Sequence, residues 1–241
     1  MNSNPLLEQV LEAHGGRARW QSLDTIEADF SSGGLAFSLH LQPWTLQGLK
    51  ISVQPHARRV VLRDFVHPGW SGVWTPDLVQ ILNDAGVVVT QRHDPRTDFS
   101  RIDKQVRWNK LDILYFAGYA LWNYLSFPFI LEAPGVRLSE TESNTRELRA
   151  RFDSSVPTHS EVQSFHINDS GLLTRHDYTA DVIGKWANAA NFCLASERVD
   201  GLRFYTRRRV LPRFGTQTVL PFPTLVWIEI DAIRLISAQA A

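Results

Sequence analysis

The 241 residues carry 25 lysines and arginines against 25 aspartates and glutamates; 44% are hydrophobic and 21% charged. Such a chain buries roughly 70% of its unfolded surface without a disulfide or metal, so disorder is excluded. The zero net charge argues against nucleic acid as a partner, and the lone Cys193 excludes an internal disulfide and suits a reducing compartment.

Asn4 is placed as an N-cap and Pro5 as the first residue of a helix whose stripe is Leu6, Leu7, Val10 and Leu11, closed by His14-Gly15-Gly16. No basic residue precedes an apolar run there, and Glu8, Gln9 and Glu12 interrupt any secretory core, so a cytoplasmic protein is expected. Alternating runs over residues 23–31, 35–42, 49–54, 59–65, 69–75, 78–83 and 87–93 predict strands, broken by turns such as Ser32-Gly33-Gly34 and Asn83-Asp84-Ala85-Gly86. Spacing of about ten residues per strand and turn predicts an antiparallel meander. Asp94-Pro95-Arg96 opens a polar helical stretch with Phe99 and Ile102 on one side. An apolar helix over about 111–125 follows; Asp112, Asn123, Ser126 and Pro128 leave it too short an apolar run to be a transmembrane segment. Strands resume over 136–141, 146–152, 161–167, 172–179, 192–199, 202–210 and 224–230, with no linker to divide the chain, so residues 1–241 are expected to form one domain.

About fourteen antiparallel strands are too many for a flat sheet, which predicts a mainly β (α+β) fold: one antiparallel, half-open β-barrel with an N-terminal helix and a central apolar lid or plug helix. That helix carries Tyr115, Phe116, Tyr119, Leu121, Trp122 and Tyr124 on several faces, which is the pattern of a buried helix. A sheet bent around one helix is expected to leave a hollow, with Tyr115, Tyr119, Trp122, Trp70 and Trp74 as ligand-lining candidates and Trp108 at its edge.

The order of helix, strands, helical lid and further strands resembles the LolA/LolB lipoprotein-carrier superfamily, a likeness that implies a half-barrel holding acyl chains beneath helices. Leu35-Ala36-Phe37, the run from Leu111 to Tyr124, Arg175-His176-Asp177-Tyr178-Thr179-Ala180 and Leu225-Val226-Trp227-Ile228-Glu229 more closely resemble segments of a bacterial family of uncharacterised proteins. The superfamily's signal peptide and lipobox cysteine have no counterpart near the N-terminus, so only the cavity carries over from it.

No nucleophile elbow, P-loop, dinucleotide fingerprint or H-E-x-x-H motif is present, so no cofactor and no sequence-local metal site are expected. Asn168-Asp169-Ser170-Gly171 predicts a type I turn with glycine left-handed, which opposes Ile167 to Leu172, Phe165 to Thr174, Gln163 to His176 and Glu161 to Tyr178. Glu161, Gln163, Phe165, His176 and Tyr178 then share one face, with Leu173, Arg175 and Asp177 on the other. This patch suits the orientation of a polar head group, or proton transfer with His176 as acid/base and Tyr178 beside it; a solvated face with ordinary cross-strand pairs is the bland alternative. His93 and Asp94, where a strand gives way to a helix, form a second candidate base and orienter, with Asp94 as a simple cap the competing reading. In Arg207-Arg208-Arg209, a strand sends Arg208 to one side while its neighbours solvate or pair with carboxylates. Three functions are carried forward: a soluble carrier or binding protein for a hydrophobic small molecule or lipid, an enzyme acting on an apolar substrate in the same cavity, and an interaction protein pairing through edge strands with a partner of unknown identity.

Overall fold

The computed structural model describes residues 4–139, 145–215 and 218–238. Asn4 Oδ1 accepts from the Leu6 and Leu7 amides at 3.1 Å each, and α1 (Pro5–Ala13) turns Leu7, Val10 and Leu11 inward. A short α2 (Gly16–Gln21) follows Gly15, whose φ of 109° only glycine adopts without strain. After β1 (Leu23–Gly33) comes the first departure from the sequence reading. Residues 35–39 form a helical turn, α3 (Leu35–Leu39), where alternation predicted a strand. Gly34, at φ 127°, redirects the chain, and the Leu35 and Ala36 amides donate to the carbonyls of Thr224 and Leu225. His40 Nδ1 then bonds the Ala36 carbonyl one turn back, at 2.6 Å.

Strands β2 (Leu49–Gln54), β3 (Arg59–Arg63), β4 (Ser71–Thr75), β5 (Leu78–Leu82) and β6 (Val88–His93) form the expected meander. The predicted helix after Asp94 is two 3-10 turns, Thr97–Ser100 and Ile102–Gln105, because the amides of Thr97, Phe99, Arg101 and Lys104 each reach only the carbonyl three residues back. Phe99 is buried there, but Ile102 is 84% exposed, so the two do not share a buried side. Asp94 lies ahead of the first turn and accepts from the Thr97 amide and hydroxyl through its backbone carbonyl rather than its carboxylate. Next comes α4 (Lys110–Ser126), then a 3-10 turn over Phe129–Glu132. The second meander is β7 (Val136–Leu138), β8 (Glu147–Phe152), β9 (Val162–Ile167), β10 (Leu173–Thr179), β11 (Asn188–Val199), β12 (Leu202–Phe214) and β14 (Val226–Ser237), with the short β13 (Thr218–Val219) hung on β12. Residues 140 and 141 of the predicted strand at 136–141 lie outside the described residues.

Thirteen of the described strands pair antiparallel in the order β6-β5-β4-β3-β2-β1-β14-β12-β11-β10-β9-β8-β7, and β13 pairs antiparallel with β12 off this path. The ends β6 and β7 do not pair, so the sheet is open and half-barrel-like, and β1 zips the two meanders together against β14. The segment between β6 and β7 must therefore travel from one free edge to the other. Its helix, α4, packs on β2, β3, β4, β5 and β12 on the way. Every residue from Leu111 to Ser126 is buried, as a helix without a polar face requires. No described helix is long and apolar enough to cross a membrane.

Candidate functional site

The start of α4 is pinned by charge. Asn109 Oδ1 accepts from the Leu111 and Asp112 amides at 3.0 and 3.1 Å, and Asp112 Oδ2 accepts from the Asn109 amide at 2.7 Å, a reciprocal capping box. The wholly buried Asp112 carboxylate also pairs with Arg92 Nη1 at 2.5 Å and Lys104 Nζ at 2.6 Å. One turn and a half further on, Gly118 lies against Trp74 of β4: a Cβ there would sit 2.2 Å from the indole Cγ. Trp122, on the same flank, donates from Nε1 to the Pro55 carbonyl at 2.9 Å.

The opposite flank is polar. Tyr115, Tyr119 and Asn123, spaced four apart, form one stripe facing the loop that leads into β9. Asn123 Nδ2 donates to the carbonyls of Tyr119 (2.7 Å) and Pro157 (2.8 Å), and its Oδ1 accepts from Thr158 Oγ1 at 2.8 Å. Gln163 Nε2 donates in turn to Thr158 Oγ1 at 2.6 Å, and Gln163 Oε1 accepts from His176 Nε2 at 2.6 Å. In parallel, His159 bonds the Tyr119 hydroxyl through Nδ1 (3.2 Å) and the Tyr124 hydroxyl through Nε2 (2.8 Å), and Tyr124 reaches the Tyr178 hydroxyl at 3.1 Å. The His159 ring stacks on Tyr178 with centroids 3.8 Å apart, and His176 stacks on Phe165 at 4.3 Å. These bonds tie α4 to β9, β10 and the loop before β9.

Desolvation dominates the electrostatics. It lowers His159 to about 3, helped by the positive charges of Arg96 and Arg208, and holds His176 well below the usual imidazole range, helped by His159 and Arg208. Burial likewise raises Tyr124 to about 12 and puts Tyr119 and Tyr178 well above the usual phenol range. At neutral pH these five groups are uncharged.

The predicted patch is assembled, but with a different register. Asn168 closes the turn on Leu172, its amide bonding the Leu172 carbonyl at 2.9 Å, so Ile167 opposes Leu173 instead of Leu172. An irregularity between Leu173 and Arg175 adds a second residue of slip, which opposes His176 to Phe165 instead of to Gln163. Two slips restore the parity, so Gln163, Phe165, His176 and Tyr178 are still buried together. Leu173, expected on the other face, lies before the irregularity and is buried with them, as the void it lines beside His176 shows. Glu161 lies apart: it precedes β9, is exposed, and pairs with Arg151 on β8. His93 is exposed at the end of β6, away from the cluster, while its neighbour Arg92 serves Asp112 and Asp98. Tyr115, Tyr119, Trp122 and Trp74 are all fully packed; Trp70 is half-buried against His67, with ring centroids 4.6 Å apart, and Trp108 is buried against His40.

The expected open hollow is filled. Side chains of α4 and the sheet leave two small apolar voids, one of about 20 Å³ lined by Phe30, Phe37, Phe116, Tyr124, Tyr178 and Ile228, the other of about 10 Å³ beside His176 and Arg208. The larger space is a polar cleft of about 650 Å³ at the end of the half-barrel, where Arg96 donates to the Thr158 carbonyl at 2.9 Å and reaches the Tyr115 hydroxyl at 3.4 Å. Asn123, Thr158, His159 and Arg208 complete the buried polar group and were not singled out for it in the sequence. Only Arg208 carried a signal, through strand alternation in the arginine triplet. Among the described residues no three histidines, cysteines or carboxylates gather to hold a metal ion.

No family model and no curated protein matches the sequence. Among solved structures, the chain is similar to a DUF1329 family protein from Desulfovibrio piger, with 12% identity and a TM-score of 0.48 over 95% of this chain and 91% of that one. It is also similar to a LolA superfamily protein from Nitrosomonas europaea, with 10% identity and a TM-score of 0.49 over 97% of this chain and 93% of that one.

Proposed function

We propose that the protein is a carrier or binding protein for a hydrophobic small molecule or lipid, taken up between α4 and the sheet. The observation that carries this reading is that α4 is buried from Leu111 to Ser126 against an open sheet, with small voids remaining beside Tyr124. An apolar ligand lying on the concave face would replace the contacts α4 makes there, so binding requires α4 to shift outward. The helix is held unevenly, which suits such a movement: its start is held by the Asp112 ion pairs, while its second half is held to the loop before β9 and to β10 by neutral hydrogen bonds that water can replace. The free Cys193 thiol agrees with work in the cytoplasm.

The test is a titration with N-phenyl-1-naphthylamine, which fluoresces in apolar surroundings, followed by displacement with 1-dodecanol. Saturable binding, displaced by the alcohol and strengthened when α4 is loosened by Asp112→Ala, supports the reading. Absence of saturable binding in both proteins overturns it. Native mass spectrometry of protein purified from its host then identifies the natural occupant.

A further inference from the structure

Arg208 is the exception among the buried charges. Asp112 is met by Arg92 and Lys104, and Asp177 by Arg175 and His166. Arg208 is 1% exposed, yet among the described residues no carboxylate lies within ion-pair distance of it. The nearest acidic strand neighbour, Glu229, is taken by Arg209, while the partly exposed Cys193 offers Arg208 Nη1 only its sulfur at 3.3 Å. The guanidinium lies over the rings of Tyr124 (4.6 Å) and Tyr205 (5.1 Å), and its Nε has no hydrogen-bond partner. On the adjacent strand, Asn191, fully buried and paired in register with His176, has Tyr124 as a polar neighbour but makes no well-formed hydrogen bond through either amide atom. The void of about 10 Å³ lies against Arg208, His176 and Asn123, and Tyr124 lines both it and the larger apolar void.

An arginine stays protonated at any physiological pH, and rings and sulfur are weak substitutes for a counter-ion. A buried cation left so is costly to the empty protein and makes a strong site for an anion that completes it. We propose that Arg208 anchors the acid head of a single-chain amphiphile, a fatty-acid-like carboxylate, with Asn191 as the second donor and the chain running past Tyr124 into the space that an outward shift of α4 opens around the apolar void. This rests on the reading of the half-barrel as a hydrophobic-ligand site and adds the chemistry of the head group. A planar guanidinium matches a carboxylate with two parallel hydrogen bonds. With one cation amid uncharged rings, a monoanion balances the site, whereas a phosphate dianion leaves one charge over.

The experiment displaces N-phenyl-1-naphthylamine from the wild-type protein with four twelve-carbon chains: laurate, 1-dodecanol, dodecyl phosphate and dodecyltrimethylammonium. Laurate is expected to displace the probe at a concentration at least about tenfold below the alcohol's and the ammonium's, a preference of about 1.4 kcal/mol. Arg208→Met is expected to abolish that preference, keep the alcohol's affinity, and melt at or above the wild-type temperature because an unpaired buried charge is gone. Arg208→Lys retains the charge and part of the preference. Equal displacement by laurate and dodecanol in the wild type overturns the proposal while leaving the hydrophobic-ligand reading intact, whether or not the variants fold. Tighter binding of dodecyl phosphate than laurate overturns the monoanion assignment, and a methionine variant that keeps the laurate preference overturns the role of Arg208. If the probe and the alcohol do not bind at all, the half-barrel reading itself has failed.

Discussion

Gly118→Ala tests how closely α4 lies on the sheet. In a helix exposed to water this change is stabilising by about 1 kcal/mol, because alanine loses less backbone freedom than glycine. Here the added methyl would stand 2.2 Å from Cγ, 2.4 Å from Cβ and 2.7 Å from Cδ1 of Trp74, more than an ångström inside an ordinary carbon–carbon contact. Trp74 is 0% exposed, so its ring has nowhere to swing, and the helix has to move instead. Overpacking of this kind costs about 1–3 kcal/mol and at times more, which outweighs the propensity gain. With a wholly buried ring in the way, the cost falls in the upper part of that range, about 2–3 kcal/mol, and the net loss of about 1–2 kcal/mol corresponds to a fall in melting temperature of about 2–8 °C for a chain this long. Urea denaturation followed by tryptophan fluorescence measures it, and displacement of α4 should raise the fluorescence of added N-phenyl-1-naphthylamine in the same variant. A variant as stable as the wild type, or more so, would refute the close seating of α4 on Trp74.

Acid should destabilise the protein through its buried histidines. Burial lowers His14 to about 4 and His159 to about 3, and keeps His176 well below 6.5, whereas in the unfolded chain each takes up a proton near 6.5. Above pH 6.5 neither state is protonated and this stability is fully present; below it the unfolded chain binds protons that the native rings refuse, so stability falls with pH. Three such groups give a slope approaching about 4 kcal/mol per pH unit near pH 5, and urea midpoints showing uptake of less than one proton there would contradict the burial. Asp112→Ala removes both the capping box and the counter-charge of Lys104, and should cost about 3–5 kcal/mol in equilibrium unfolding, with Lys104→Met restoring part of it; no loss would mean the pair is solvent-screened. Gly34→Ala places a methyl 2.5 Å from the Leu225 carbonyl oxygen at a φ of 127°, and should lower the melting temperature by several degrees; an unchanged melt would place α3 away from that carbonyl.

Signals that act over four or five residues were legible in the sequence. The Asn4 cap, the Asn168 turn with Gly171 left-handed, and the all-round apolar character of the run from Leu111 to Leu125 each rest on neighbours in the chain, and each stands in the structure. The alternation in the arginine triplet is of the same kind, since Arg208 is buried while Arg207 is exposed and Arg209 pairs with Glu229. The face shared by Gln163, Phe165, His176 and Tyr178 was also readable, although its register was not. The turn supplied one residue of slip and the irregularity after Leu173 another, and a strand's two-residue period conceals an even error.

What lay beyond the sequence depends on pairs far apart in it. Residues 35–39 alternate like a strand, and they coil because carbonyls of residues 224 and 225 take their amides. Glu161 alternates in phase with the patch but falls outside β9, where Arg151 of the next strand claims it. The chain's own pattern of apolar residues determined that α4 would be enclosed by a mainly β, antiparallel sheet. Whether that enclosure would hold open space, and whether Arg208 would find a counter-ion, only the tertiary structure decided, because both follow from the fit of side chains on strands whose registers are set by long-range pairing.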